Sequence, residues 1–206
     1  TEQERLQSLW MHQSLDQVHL PLLESLLDAE DARIRAAAVR VLGFWLEDSK
    51  DYTAWLGKRL MDEHPRVRLE ALRVLPRLKS GKAAAMALSV LEKPMDRFLD
   101  YGLWLTINDL ADVWIQSIKD GDWDPEGKDA QLEFGLSAIE GAKAAQIMEP
   151  LTQARTAEEL ARGPWLTLIG RTGNSTQLNR ITAMTRDSAL PSETLLRCLR
   201  ALEDAS

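Results

Sequence analysis

A single cysteine, Cys198, in 206 residues excludes an internal disulfide framework and any thiolate metal cluster. Uncharged runs are too short to span a bilayer. The opening residues TEQERLQSLWM lack the basic stretch and apolar core of a leader, so neither membrane insertion nor an export signal is expected of this segment. Positive charge is scarce as well: the formal net charge is -7, and the deficit falls almost wholly after residue 100. Bulk electrostatics therefore repel phosphate backbones and anionic lipid, and no nucleic-acid partner is expected. Short alternating runs of the kind that build strands are missing too. What is present, 45% apolar and 28% charged residues, is the composition of a chain that folds around a substantial core.

The chain repeats itself. Residues 33–42 read RIRAAAVRVL and residues 66–75 read RVRLEALRVL, six of ten positions being identical at an offset of 33. Each block follows an acidic turn and carries apolar residues at spacings of three and four, such as Val67, Ala71, Leu72 and Leu75, which marks one face of a helix. A small residue before Leu, or before Val in the case of Ala38, continues the register through Ser8, Ala38, Ala71, Gly102, Gly135 and Cys198, with a position near Thr167 filling the gap, at separations of 30 to 33 residues. Shorter helices are expected between, at about 19–28, 51–62, 81–92, 108–119, 144–154 and 175–186. Longer ones are expected near 33–47, 65–78, 95–118 and 126–139. Paired helices with a period near 32 predict an all-α, right-handed α-solenoid of about six repeats, read as one domain over 1–206.

The block D-x-x-x-R-V-R-x-x-A-L resembles the HEAT consensus, which implies that Arg5, Arg35 and Arg68 form a structural ladder with turn carboxylates such as Asp28, Asp31 and Asp62. Leu99, Leu132 and Leu195 replace the arginine later, so this polar ladder is expected in the N-terminal half only. The stretches SLWMHQSLD at 8–16, RAAAVRVLGFW at 35–45, HPRVRLEALRVL at 64–75 and DRFLDYGLWLTINDL at 96–110 resemble a more particular group. They are similar to the helical-repeat segment of the membrane-bound dehydrogenase family of planctomycete-type bacteria, strongly to about residue 140. That resemblance implies a parent protein, exported or periplasmic, in which a β-propeller and a haem-attaching CxxCH domain flank the repeats. The present residues contain no CxxCH and no propeller strands, so this segment is expected to carry no cofactor and to be a connecting scaffold excised from the longer chain. A start inside an unpaired second helix agrees with that expectation.

Chemistry-bearing residues are sparse. His12 on the first helix and His19 in the next turn, seven apart across a break, are not expected to aim two imidazoles at one metal, and His64 before Pro65 reads as the start of a helix. The absence of any H-E-x-x-H also argues against di-iron hydroxylases built on such repeats. Cys198 occupies a small-residue position and reads as core. Asp120, Asp122 and Asp124 have the spacing that opens a calcium loop. Pro125 then stands where the sharp turn needs glycine, and Gln131 where a bidentate glutamate belongs, leaving a weak calcium candidate and no other metal site.

Tryptophan is abundant, with seven residues against two Tyr and three Phe. Most are expected in the core. Two positions after each small residue a helix has turned 200°, away from its buried face. That register holds Trp10, Arg40, Arg73 and Trp104, a stripe expected along the concave side of a solenoid, and Trp and Arg are the residue types most enriched among binding anchors. The sequence thus predicts a non-catalytic scaffold that docks other domains of its own polypeptide, or a protein partner, through this stripe. The competing expectation is an enzyme of the HEAT-like alkyl-base DNA glycosylase type, by analogy of fold alone, in which the aromatic and basic residues would stack a base and hold phosphate.

Overall fold

Short polar residues fix where the helices begin. In a computed structural model, which describes residues 1–153, 155–186 and 190–205, Asp31 Oδ1 accepts from Arg33 N at 2.8 Å and Asp96 Oδ1 accepts from Phe98 N and Leu99 N, both at 2.9 Å. His64 Nδ1 takes the same role for Arg66 N, and Pro65 beside it needs no N–H partner. The described residues form helices and turns without a strand.

The chain divides into two compact units, Thr1–Leu110 and Ala111–Ser206. The first contains α1 (Glu2–Ser14), α2 (Leu20–Leu27), α3 (Ala32–Leu42), α4 (Tyr52–Leu60), α5 (Pro65–Val74), α6 (Gly81–Leu88) and α7 (Arg97–Asp109). Helices α1, α3, α5 and α7 stack in succession, while α2, α4 and α6 each lie against the helix that follows them. Contacts confined to neighbouring helix pairs in chain order make this an α-solenoid. Ala38 and Ala71 are fully buried where α3 meets α5. On α7 the corresponding residue is Gly102, where a Cβ would stand 2.5 Å from Leu69 Cδ1, so α7 rides closely on α5.

Two helices end earlier than periodicity predicts. The one expected over 33–47 stops at Leu42, because beyond Gly43 the chain turns to bury Trp45 and Leu46 while Phe44 stays exposed. The one expected over 95–118 breaks at Leu110, a residue with neither the ring of proline nor the freedom of glycine. Helix α7 buries Leu99, Leu103 and Ile107, whereas Ala111–Lys119 (α8) buries Trp114, Ile115 and Ile118, and each set belongs to a different unit.

The second unit continues with α9 (Asp129–Ala138), α10 (Gly141–Gln153), α11 (Ala157–Ala161), α12 (Trp165–Thr172), α13 (Ser175–Met184) and α14 (Ser192–Asp204). Helix α10 lies against α8, α9 and α12, and α12 against α14. The fully buried Trp114 fills the space left by Gly135, whose Cβ would come within 2.2 Å of the indole. Helices α12 and α14 approach closely at Gly170, where a Cβ would meet Ala201 O at 2.5 Å. That lies three residues beyond Thr167, the position the register selects. Cys198 is buried in α14, and desolvation pushes its thiol pKa up, away from nucleophilic use.

Arginines join the repeats, in a pattern that corrects the expected ladder. Arg35 Nε and Nη2 each donate to Asp62 at 2.8 Å, and Nη1 donates to Ala29 O and Glu30 O. Arg68 stands 33 residues on but finds no carboxylate: it donates to the carbonyls of Asp62, Glu63 and Pro94, and its Nε is buried without a partner. Arg5 does not join the ladder, bonding Ser25 Oγ instead, while Glu2 accepts from the Glu30 amide. Arg59, which the repeat register does not single out, is buried on Leu27 O and Asp28. Polar ties also extend beyond the N-terminal half. Arg180 holds the carbonyls of Thr152 and Arg155, and Arg197 those of Ala161 and Gly163.

Candidate functional site

The four positions of the predicted stripe lie at the surface, but they do not act as one row. Arg40 and Arg73 meet on Glu70, whose side chain is only 8% exposed, whereas theirs are 55% and 65% exposed. Glu70 raises the Arg40 pKa further above its ordinary value. One buried carboxylate thus orients two guanidinium groups and leaves one positive charge over. Trp10, 44% exposed, stands apart with Gln7, Met11, Ser14 and Leu15 around a shallow hollow on α1. Trp104, 42% exposed, stacks on Tyr101, their rings 6.1 Å apart and inclined by 12°.

Helix α7 carries more than the register selects. Phe98, Tyr101, Trp104 and Leu105 are all exposed, a strip of large apolar side chains three and four residues apart on one helix face. The Arg97 guanidinium lies over the Phe98 ring, 4.6 Å from its centroid. The signal for Phe98, Tyr101 and Leu105 was available in the sequence as a second apolar stripe on a helix whose core face, Leu99, Leu103 and Ile107, was already complete.

A furrow runs between α5 and α7. Its main hollow, about 400 Å³, lies among Leu69, Arg73, Phe98, Tyr101, Leu105 and Asp109. A smaller one of about 210 Å³ continues past Phe98 to His64, Arg66 and Asp96. Gly102 explains the floor, since the absent side chain lets the Leu69 methyl lie against the α7 backbone. Residues 64–66 face residues 96–99 at one end and Pro76 meets Asp109 at the other, so α5 and α7 run in the same direction.

The remaining candidates separate from this face. Asp120 Oδ1 accepts from Gln116 Nε2 and Asp124 Oδ1 from Glu126 N. Among the described residues no group of three or more His, Cys, Asp or Glu side chains is placed to hold a metal ion, so the Asp120, Asp122, Asp124 calcium reading is corrected: Asp120 and Asp124 accept local hydrogen bonds and the three do not gather. His12 and His19 come together after all, ring centroids 4.9 Å apart, because the chain reverses at Asp16 with a positive φ. His19 Nδ1 is occupied by Leu22 N, which leaves a ring contact rather than a ligand pair. No helix among the described residues is long and apolar enough to cross a membrane.

A family model described as HEAT repeats matches residues 20–99, which covers α2 to α6 and the start of α7 and therefore the α5 side of the furrow. No curated protein matches the chain. Among solved structures, a designed armadillo repeat protein is similar over 91% of this chain and 100% of its own, at 13% identity and a TM-score of 0.37.

Proposed function

We propose that the chain is a non-catalytic interaction module whose working surface is the exposed strip of α7 together with the adjoining furrow. A repeat solenoid of this kind is commonly a scaffold for protein partners. The observation that carries the reading is the run Phe98, Tyr101, Trp104 and Leu105, four large apolar groups left exposed on a helix that has already filled its core face. With each of them about half exposed, roughly half of the 1.5–3 kcal/mol that full burial of such a side chain supplies is left unrealised, about 1 kcal/mol apiece, which binding would recover.

The resemblance of 96–110 to the helical segment of planctomycete-type membrane-bound dehydrogenases supplies the first candidates for the partner, the propeller and CxxCH domains of the same exported polypeptide. Photocrosslinking from benzoylphenylalanine at position 104, in the host cell, tests the module directly. One recurrent protein adduct, mapped to a single peptide, is the expected product. Adducts to nucleic acid, which the glycosylase-like alternative requires, or no adduct at all, would remove the reading.

A further inference from the structure

We infer that the furrow between α5 and α7 receives an extended acidic peptide segment of a protein partner, with its carboxylates over the N-terminal ends of the two helices and an apolar side chain over Leu69 and Leu105. The inference rests on the docking role assigned to this face and adds the chemistry and direction of what binds.

The charge around the furrow is not that of the protein as a whole. In a chain of net charge -7, its rim carries Arg66 and Arg73 on α5 and Arg97 on α7. Two nearby carboxylates are already committed. Glu70 is held between Arg40 and Arg73, and Asp96 caps α7 through the amides of Phe98 and Leu99. Among the described residues Arg66 and Arg97 have no carboxylate partner, and Arg97 is engaged only by the Phe98 ring.

Parallel helices polarise the furrow further. Both helices turn their positive dipole ends toward the end holding Arg66 and Arg97, where His64 and Asp96 already cap the first amides and, among the described residues, the two guanidinium groups are left without a carboxylate. Toward the C-terminal ends lies Asp109, an exposed carboxylate at the opposite end of the furrow from Asp96 and the free arginines. An occupant with carboxylates at one end is therefore favoured in one direction only. Between the ends, Leu69, Phe98, Tyr101 and Leu105 present an apolar trough that a bare anion would not use. From Pro65 to Pro76 the path is about 16 Å at the helical rise, which about five extended residues span.

Selection of a phage-displayed random dodecapeptide library against the chain tests this, followed by fluorescence polarisation with the enriched peptides. The expected result is enrichment of Asp or Glu on one side of a Leu, Phe or Trp. Arg66→Glu with Arg97→Glu should weaken the selected peptides at least tenfold, Phe98→Ala should weaken them similarly, and Asp109→Lys should tighten them, with melting curves of all three variants unchanged. Enriched peptides that are basic or uncharged, no enrichment, insensitivity to the paired arginine changes, or equal competition by a duplex oligonucleotide would each overturn it. A protein adduct from position 104 that maps to a basic peptide would leave the interaction module standing and remove only the acidic occupant.

Discussion

Arg35 and Asp62 face each other across successive repeats through two parallel hydrogen bonds of 2.8 Å, with side chains only 16% and 6% exposed. The paired geometry suits a planar guanidinium and a carboxylate. Arg35→Leu would leave Asp62 buried with Arg59, at 3.5 Å, as its remaining cation. The expected loss is about 2–4 kcal/mol by urea denaturation. Arg73→Leu, which loosens a guanidinium in open solvent, should stay within about 0.5 kcal/mol.

Met95 occupies the position 33 residues after Asp62, as Arg68 does after Arg35. The orphaned Arg68 Nε corresponds to the Arg35 Nε that Asp62 satisfies. Met95→Asp should therefore stabilise the first unit, by about 1 kcal/mol, where an unselected surface change would do nothing or harm. A lower denaturation midpoint than that of the unmodified chain would show that the third repeat cannot adopt the pairing of the second.

Acid should weaken the first unit. Burial works against the Asp62 carboxylate, but Arg35 and the His64 amide outweigh it and hold its pKa below the ordinary value; Asp28 is likewise held low by Lys58 against burial. Groups depressed in the folded state contribute stability that is complete above their unfolded pKa, about 4, and is lost as pH falls through the folded value. Thermal midpoints should decline below about pH 4, and Asp62→Asn should flatten part of that decline while lowering stability at neutral pH.

Glycines at two helix crossings should differ in their tolerance of a methyl group. At Gly102 the obstacle is the end of the Leu69 side chain, which can move, and alanine adds helix propensity. At Gly135 the obstacle is the enclosed Trp114 ring, three of whose atoms lie within 2.9 Å of the new carbon. Gly135→Ala is expected to cost about 1–3 kcal/mol and Gly102→Ala less than 1 kcal/mol, measured by chemical denaturation.

The tryptophans should divide by location. Trp104→Ala removes a half-exposed ring stacked on Tyr101 and should change stability by less than about 1 kcal/mol. Trp114→Ala empties the core opposite Gly135 and should cost about 3–5 kcal/mol. Denaturation of the two variants, with iodide quenching of the remaining fluorescence, distinguishes the surface ring from the enclosed one.

Much of the helical framework could be read from the sequence, because the period of 30 to 33 residues and the caps at Asp31, His64 and Asp96 are local signals. The break at Leu110 was legible only in part: a separate helix was expected over 108–119 as well as a longer one over 95–118, and the burial of Leu103 and Trp114 in different units decides for the first. The Trp10, Arg40, Arg73, Trp104 register identified surface positions, yet a one-residue-per-repeat rule could not reveal that Glu70 gathers two of them. It also passed over Phe98, Tyr101 and Leu105, since their exposure depends on α7 having satisfied its core elsewhere. The meeting of His12 with His19 depended on the backbone reversal at Asp16, which carries no glycine to announce it.

Arginines that grip main-chain oxygens have a consequence for how this protein can change over generations. Arg68, Arg180 and Arg197 hold carbonyls, and every residue type supplies a carbonyl, so the turn they grip is free to vary in sequence without undoing the joint. The joints of Arg35 with Asp62, Arg59 with Asp28 and Arg40 with Glu70 are different, since each demands a particular acid at a particular place. Lineages can therefore rewrite most turns, and with them most of the chain's outer surface, while the stack of repeats remains intact. The resemblance between one repeat and the next would fade long before their geometry did.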